Sequence, residues 1–365
     1  MLENNFEAVN LLGLAPARLA DFLAYIGEDR GHTEPLLKLI HGQGLGNFYH
    51  MPGLDQALVK KLSLVAKVEP PRIHTTQKSE DGTCKWLFEI TGGSCIETVY
   101  MPQLDGGTLC LSSQAGCALN CSFCGTGQLG FDRNLSSDEI IGQLWLARHQ
   151  LALHRSDHLN TISRIVFMGM GEPLLNFRNL IAAIALLTAK NGYDFNAANI
   201  TLSTAGLVPA MAQLALHTNV RLAISLHAPN DTLRNQLVTI NRKYPIRRLL
   251  EAAKNYLEQL PLDRRELLVQ YVLIDRINDQ LTHAQQLAQL LSDLPVRLEL
   301  IPMNRTGHSQ YQPSHPAQVD AFSRLLLDKG YQVAIRPTLG GDINASCGQL
   351  GGNVQDRTRR SAKHL

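Results

Sequence analysis

The spacing of hydrophobic residues changes twice along the chain, and each change marks a different kind of structure. Up to about residue 65 apolar residues recur at helical spacing, as in Leu19, Phe22 and Leu23. From roughly residue 70 to 100 apolar and polar residues alternate, with Trp86 and Phe88 on one face, which is typical of a β-hairpin. The chain therefore begins with a predicted small helical module, and a predicted hairpin follows it.

After Thr108 short β-branched or apolar runs alternate with amphipathic helical stretches. The runs predict strands at Thr108–Ser112, Ile162–Met168, Asn199–Thr204, Arg221–Leu226, Leu267–Ile274, Val296–Pro302 and Gln332–Arg336. The stretches between them predict helices at 177–191, 207–217, 246–258, 280–293 and 316–329, with a further helix opened by the capping-box pair Ser136 and Glu139. Six or seven such units predict an α/β fold with a parallel sheet, closed into a full or partial barrel.

These patterns divide the chain into four parts. Residues 1–66 form the helical module, 67–107 the hairpin extension, and 108–340 the barrel. Residues 341–365 form a glycine-rich loop that contains Cys347, followed by a basic tail.

Composition narrows the class of protein. Of the 365 residues, 44% are hydrophobic and 18% are charged, which is typical of a globular chain and excludes wholesale disorder. No apolar run reaches the length of a membrane span, and the acidic N-terminus lacks the form of a signal peptide. We therefore expect a cytoplasmic protein, without a membrane partner, whose seven cysteines are reduced.

Charge says little about partners, because a net charge of +2 neither requires nor excludes nucleic acid. Two local basic groups stand out, although each, taken alone, is more typical of a solvated helix face or tail than of a nucleic-acid contact. They are Arg242, Lys243, Arg247 and Arg248, and, at the C-terminus, Arg357, Arg359, Arg360 and Lys363.

The most informative chemistry is the C-x3-C-x2-C spacing of Cys117, Cys121 and Cys124. Three thiolates can hold three corners of a cubane iron–sulfur cluster and leave the fourth iron open to a ligand. Zinc is the alternative, but a structural zinc site usually takes four ligands, and the next histidine, His149, lies in a predicted helix. The spacing favours the cluster over zinc, and it is too tight for a disulfide framework.

Polar or glycine-rich residues follow the ends of several predicted strands. In a β/α barrel the carboxyl ends of the strands form the rim that carries the chemistry. Glycines in the segment 169–173 would let a backbone edge approach a ligand closely. The candidate rim residues are Gly171, Glu172, Ser203, Ser225, Leu226, His227 and Asn304.

Four cysteines lie outside the C-x3-C-x2-C motif, and two of them are informative. Cys347 stands between glycines and polar residues, where an exposed reactive thiol is more plausible than a core residue. Cys110 alternates with Leu109 and Leu111 on a predicted strand, so its own pattern is equally consistent with a place in the core.

With Phe123 directly before its last cysteine, the motif resembles that of the radical S-adenosylmethionine (SAM) superfamily. From about residue 70 to about 360, a colinear series of segments is similar to the RlmN/Cfr family of radical SAM RNA methyltransferases. The matching segments are 81–83, 97–100, 109–121, 133–135, 168–176, 202–204, 223–231, 300–304 and 345–350.

The resemblance implies a partial (β/α)6 radical-SAM barrel with a small N-terminal RNA-binding-like module. It implies one [4Fe-4S] cluster on Cys117, Cys121 and Cys124, and two SAM molecules per turnover. The positions matching the family's SAM-binding residues are Gly171, Glu172, Ser203, Ser225, Leu226, His227 and Asn304.

The resemblance also implies roles for Cys347 and Cys110. One SAM methylates Cys347, and a radical made from the second SAM takes a hydrogen atom from that methyl group. The carbon radical adds to an adenine ring, Glu97 accepts the ring proton, and Cys110 releases the product by forming a disulfide with Cys347.

The substrate implied is 23S ribosomal RNA, with transfer RNA as a further candidate, methylated at adenine C2. A flavodoxin-like electron donor and a monomeric enzyme are expected. Departures from the family pattern at Gly127 and Gly341 leave the RNA and the methylated carbon open. The alternatives are a Cfr-like C8 methyltransferase, a radical SAM enzyme with a non-RNA substrate such as a protein activase, and a zinc-dependent RNA-binding protein.

Overall fold

The computed structural model describes residues 7–153, 161–305 and 309–358. Its strands are β1 (Val9–Asn10), β2 (Ala66–Lys67), β3 (Arg72–Lys78), β4 (Cys84–Glu89), β5 (Cys95–Met101), β6 (Gly107–Cys110), β7 (Gln114–Gly116), β8 (Phe131–Asn134), β9 (Ile162–Phe167), β10 (Ile200–Thr204), β11 (Arg221–Ser225), β12 (Leu267–Leu273), β13 (Val296–Pro302) and β14 (Gln332–Ile335). Its α-helices are α1 (Pro16–Tyr25), α2 (Thr33–Leu37), α3 (Gln56–Val65), α4 (Gly125–Gln128), α5 (Ser137–Leu153), α6 (Phe177–Thr188), α7 (Val208–Leu214), α8 (Asp231–Leu237), α9 (Ile246–Gln259), α10 (Leu281–Leu290) and α11 (Pro316–Asp328).

One ten-stranded sheet organises the molecule, in the order β14-β13-β12-β11-β10-β9-β6-β5-β4-β3. The strands from β6 to β14 in this order are all parallel, and helices connect them along the chain. Because the two edge strands are not paired with each other, the sheet is an open, partial barrel. The predicted α/β fold is confirmed, and each predicted barrel strand lies within two residues of its observed bounds.

The predicted hairpin is part of the same sheet. Strands β3, β4 and β5 pair antiparallel, and β5 pairs antiparallel with β6, where Val99 lies opposite Cys110. A strand pair isolated from other strands is marginally stable in water, so continuing the barrel sheet stabilises the hairpin. The pairing also brings Glu97, on β5, next to the first barrel strand.

The N-terminal module is helical, as predicted, and is closed by the short parallel pair of β1 with β2. A π-helical turn at Lys38–Gly42 extends α2. Helix α5 of the barrel holds this turn, because the Trp145 indole donates to the Ile40 carbonyl and Arg148 donates to the His41 carbonyl.

Local sequence signals explain where two helices begin. At α5 the Ser136 amide donates to the Glu139 carboxylate at 3.0 Å, which is half of the predicted capping box. At α8 the Asn230 side chain accepts from the Leu233 amide at 3.0 Å, as expected of an N-cap.

The described part of the chain contains no helix that is long and apolar enough to cross a membrane. Arg242, Lys243, Arg247 and Arg248 are all exposed, and we call this group the basic patch. In the second basic group Arg357 forms an ion pair with Asp132 at 2.6 Å, and Arg359, Arg360 and Lys363 lie outside the described residues.

Candidate active site

A cavity opens at the carboxyl ends of the barrel strands, and we call it the first cavity. Its walls include most of the residues that the sequence placed on the rim. They are Cys117, Cys121, Cys124, Gly171, Glu172, Ser203, Ser225, His227, Asn304 and Cys347.

The three motif cysteines lie on the loop between β7 and α4. Backbone bonds hold this loop, because the Cys117 amide donates to Gly130 and the Ser122 amide donates to Leu237 at the end of α8. None of these three cysteines is in a disulfide, and burial raises the pKa of Cys121 and Cys124. Buried thiols become thiolates most readily beside a cation, so this donor set fits an iron core. Among the described residues no three His, Cys, Asp or Glu side chains are arranged to hold a single metal ion.

The turn after β9 fixes Gly171 and Glu172 against the cavity. Gly171 has a φ of +99°, and a Cβ there would lie 2.5 Å from the Gln114 side chain, so only glycine fits. The Glu172 carboxylate is buried and accepts from the Thr204 hydroxyl at 2.7 Å and the Ala205 amide at 2.8 Å. Burial raises the pKa of Glu172, and these hydrogen bonds oppose the rise.

Polar side chains on neighbouring strand ends form a connected row. The Ser203 hydroxyl lies 3.3 Å from that of Ser225 and donates to the Gln270 side chain at 2.8 Å. The Gln270 amide donates in turn to the Glu299 carboxylate at 2.8 Å. This row crosses β10, β11, β12 and β13, and all of its members except Glu299 line the first cavity.

The next two rim candidates differ, because His227 lines the first cavity and Leu226 does not. His227 has a φ of +61°, and its Nδ1 accepts from the Val272 amide at 3.1 Å. Its Nε2 is therefore the ring nitrogen that remains for a ligand. Burial, with a contribution from Arg234, lowers the pKa of His227 to about 3, so its ring is neutral. Leu226 is fully buried and does not line the first cavity, and its backbone amide donates to the Gln270 carbonyl at 3.0 Å.

Cys347 lines the first cavity although it is distant in sequence from the three motif cysteines. The Arg336 guanidinium donates to its Sγ at 2.9 Å, and the Asn304 side chain donates to its carbonyl at 3.1 Å. The next carbonyl, of Gly348, accepts from Gly125 of the motif loop at 2.8 Å. The loop that carries Cys347 is therefore held directly against the motif loop.

A second cavity lies beside the first, and Cys347 lines both. Cys110 lines the second cavity, together with Met168, Glu299 and Arg336. Burial raises the pKa of Cys110 to about 12, the charge of Cys347 adds to the rise, and Arg336 opposes it. The structure thus brings Cys110 and Cys347 to one cavity as free thiols.

Glu97 borders neither cavity and holds the Cys347 loop from behind. Its Oε1 lies 3.0 Å from the Lys85 ammonium, and its Oε2 accepts from the Gly351 amide at 2.8 Å. Lys85 also donates to the Asn344 carbonyl at 3.2 Å. Each carboxylate oxygen has one partner and can accept further hydrogen bonds. Because Glu97 borders neither cavity, the loop around Gly351 has to move before Glu97 can reach a substrate.

Sequence reasoning missed Arg336, Glu299 and Gln270. Glu299 forms an ion pair with Arg336 at 3.6 Å, and the charge of Cys347 is the main cause that raises the pKa of Arg336. A signal did exist, because Gln270 and Glu299 are polar residues inside otherwise apolar barrel strands, where side chains usually pack in the core.

Comparison with known proteins identifies the chain's relatives. The family model of the radical SAM superfamily matches residues 111–287. The model of the ribosomal RNA large subunit methyltransferase N-terminal domain matches residues 9–68.

Whole-chain relatives agree with the family models. The dual-specificity RNA methyltransferase RlmN of Psychrobacter arcticus is 46% identical over 97% of this chain and 90% of its own length. The RlmN of Pseudomonas putida is 47% identical over 98% of this chain and 93% of its own. A crystal structure of a radical SAM methyltransferase from Sphaerobacter thermophilus, 36% identical, superposes with a TM-score of 0.86 over 94% of this chain and 99% of that one. The chain therefore belongs to the RlmN family of the radical SAM superfamily.

Proposed function

We propose that this chain methylates a ring carbon of adenine in RNA, with C2 as the carbon, 23S ribosomal RNA as a substrate and transfer RNA as a second one. The observation that carries the proposal is the position of Cys347, which lines the cavity of the three motif cysteines and also the cavity of Cys110. A sulfur in that position can receive a carbon from one side and deliver it to the other. The names of the whole-chain relatives support RNA as the substrate class.

As a radical SAM protein, the chain uses a [4Fe-4S] cluster and SAM. We assign cluster ligation to Cys117, Cys121 and Cys124, which leaves one iron for SAM. With the cluster and SAM bound, the site would supply a radical that takes a hydrogen atom from the methyl group on Cys347. We assign the binding of SAM to the first cavity, through the backbone at Gly171 and the side chains of Glu172, Ser203, Ser225, His227 and Asn304. Leu226, which lies between Ser225 and His227 and is buried, would support this wall without lining it.

Cys347 carries the carbon. Its thiolate attacks the methyl group of SAM, so that a sulfur–carbon bond forms and S-adenosylhomocysteine leaves. Arg336 orients this sulfur, because its guanidinium donates to Sγ at 2.9 Å. After loss of one hydrogen atom, the S-methylene carbon bonds to the adenine, for which the second cavity has room beside Cys347.

Glu97 and Cys110 complete the reaction. Glu97 accepts the ring proton once movement of the Cys347 loop has brought its carboxylate to the substrate. The adduct gives up its unpaired electron as the ring becomes aromatic again, and the oxidised cluster would take that electron back. The Cys110 sulfur then attacks Sγ of Cys347, so that a disulfide forms and the carbon leaves with the electron pair and gains a proton. Burial raises the pKa of Cys110 to about 12, so Cys110 is a neutral thiol at rest and has to lose its proton before its sulfur attacks.

The activity is tested in nucleosides from the RNA of cells with and without the gene. We expect 2-methyladenosine in ribosomal and transfer RNA to disappear when the gene is deleted and to return when it is restored. The appearance of 8-methyladenosine instead would favour the Cfr-like alternative, and unchanged nucleosides would favour a radical SAM enzyme with a non-RNA substrate. Family membership already excludes a zinc protein without catalysis.

The proposal also includes the electron donor, the oligomeric state and the surface that contacts RNA. We infer that a flavodoxin-like protein supplies the electron and that the enzyme acts as a monomer. We also assign RNA contacts to the basic patch, which follows Thr239, whose hydroxyl donates to the Leu119 carbonyl in the motif loop. All four cations of the patch are exposed, so they can reach phosphates beside the site.

Reversing two of these charges should weaken RNA binding. In the variant Arg247→Glu/Arg248→Glu we expect a lower affinity and a flatter dependence on salt, with the slope reduced by about 2 on a log–log plot if both cations contact phosphate. Filter binding at several salt concentrations measures this. The variant Arg324→Glu/Lys329→Glu makes the same charge change on exposed positions of α11 and near its end and should bind like the unmodified protein. Equal affinity and slope for both variants would contradict the assignment.

A further inference from the structure

Arg234 is a charged residue with no exposed surface. It lies on α8 with a relative exposure of 0%. Its guanidinium donates to the carbonyls of Ala205 at 2.7 Å, Ser225 at 3.0 Å and Leu226 at 2.9 Å, and to the Asn241 side-chain oxygen at 2.7 Å. All of these acceptors are neutral.

A buried cation that contacts only neutral acceptors is costly unless a negative charge lies near it. Among the described carboxylates none forms an ion pair with Arg234. Asp231 is connected to it only through Asn241, which donates to the Asp231 carboxylate at 2.8 Å, and Asp231 is exposed to solvent. The charge of Arg234 is therefore not balanced by a neighbouring carboxylate.

The geometry places this charge directly behind the first cavity. Ala205 and Ser225, whose carbonyls accept from Arg234, line the cavity together with Cys121. The same helix holds the motif loop, because the Ser122 amide donates to the Leu237 carbonyl at 3.1 Å. Burial lowers the pKa of Arg234 to about 10, and Cys121, followed by Asp231, opposes the fall, so Arg234 is a cation at neutral pH.

We propose that Arg234 is a positioning residue whose fixed charge balances the thiolate-ligated cluster and raises its reduction potential. This inference rests on the proposed ligation by Cys117, Cys121 and Cys124. Reduction adds a negative charge to a centre that its three thiolates have already made negative. A nearby cation that water does not screen stabilises the reduced form more than the oxidised form.

The test is a redox titration of the reconstituted protein without SAM, followed by electron paramagnetic resonance. We expect Arg234→Met to shift the midpoint to more negative potential by at least a tenfold change in the reduction equilibrium, about 59 mV for one electron. Arg234→Lys keeps the charge and should stay near the unmodified value. Arg221→Met is the matched control, because it removes a cation at the other end of β11, about 13 Å from the rim at about 3.3 Å per residue, and it should not shift the midpoint.

A second variant covers the case in which Arg234→Met does not fold. The exchange Asp231→Asn/Asn241→Asp keeps the net charge and the amide–carboxylate pair, but moves the carboxylate into direct contact with the guanidinium. We expect this neutralisation to make the midpoint more negative as well.

Three outcomes would overturn the proposal. An unchanged midpoint in the exchange variant, or in a folded Arg234→Met protein, contradicts an electrostatic role. A shift in Arg234→Lys as large as that in Arg234→Met shows that hydrogen-bond geometry matters instead of charge. An unmodified protein that assembles no cluster overturns the ligand assignment itself, and the proposal with it, so the two failures are distinguishable.

Discussion

Replacing Cys347 with alanine is expected to abolish RNA methylation, with a loss of at least about a thousandfold, as is usual when a nucleophile is removed. The reason is that the methyl group of the product has to pass through this sulfur before it reaches the adenine. The cavity around the motif cysteines should remain intact, because the loop is also held through the Gly348 and Leu350 carbonyls. Methyl transfer to RNA, measured with labelled SAM, together with iron and sulfide content, separates loss of chemistry from loss of the cluster.

Cys84→Ala is the matched control for this experiment. Cys84 is a free, half-buried cysteine on β4 that lines neither cavity, so its removal should leave methylation unchanged. If Cys347→Ala methylates RNA at the rate of the control, the proposed route through an S-methylated cysteine is wrong.

Replacing Cys110 with alanine should stop turnover at a different point. The first steps need only Cys347 and the cofactors, so we expect the RNA to become attached to the protein and to remain attached. The adduct should appear as a slow band on a denaturing gel. After nuclease treatment, its peptide should carry the mass of an adenine nucleotide and one carbon on Cys347. Overall turnover should fall to one or fewer events per enzyme.

The double variant Cys110→Ala/Cys347→Ala tests the origin of the band. It should form no adduct, because the atom that carries the carbon is missing. Multiple turnovers with free methylated RNA from the single Cys110→Ala variant would show that another group releases the product. Since Cys110 is buried on β6, thermal unfolding of each variant should be compared first.

The barrel was predictable because its signals are local. Runs such as Val296–Pro302 are rich in apolar residues, bounded by turns and separated by amphipathic helices, and the observed strand has the predicted bounds. The hairpin was predictable as a pairing of β4 with β5, but not its continuation into the barrel sheet through β6. Strand order depends on contacts between distant segments, which periodicity does not encode.

The candidate site was partly predictable for a related reason. Strand ends meet at one rim, so the position of Ser203 or His227 follows from topology. The contact of Arg336 with Cys347, and the hydrogen bond from the Gly351 amide to Glu97, depend on how the loop after β14 folds across the barrel. Arg234 lies in a mostly polar segment whose sequence does not indicate burial, and only the packing of α8 under the strand ends buries it.

The central claim is that the carbon added to the base is first carried on Cys347, and isotope transfer tests it most directly. The protein is methylated at Cys347 with 13C-methyl SAM, freed of excess label, and then allowed a single turnover with RNA and unlabelled SAM. The account predicts that the first methylated adenine carries the 13C atom. A first product without the label would contradict the account, because the methyl group would then have reached the RNA without passing through Cys347.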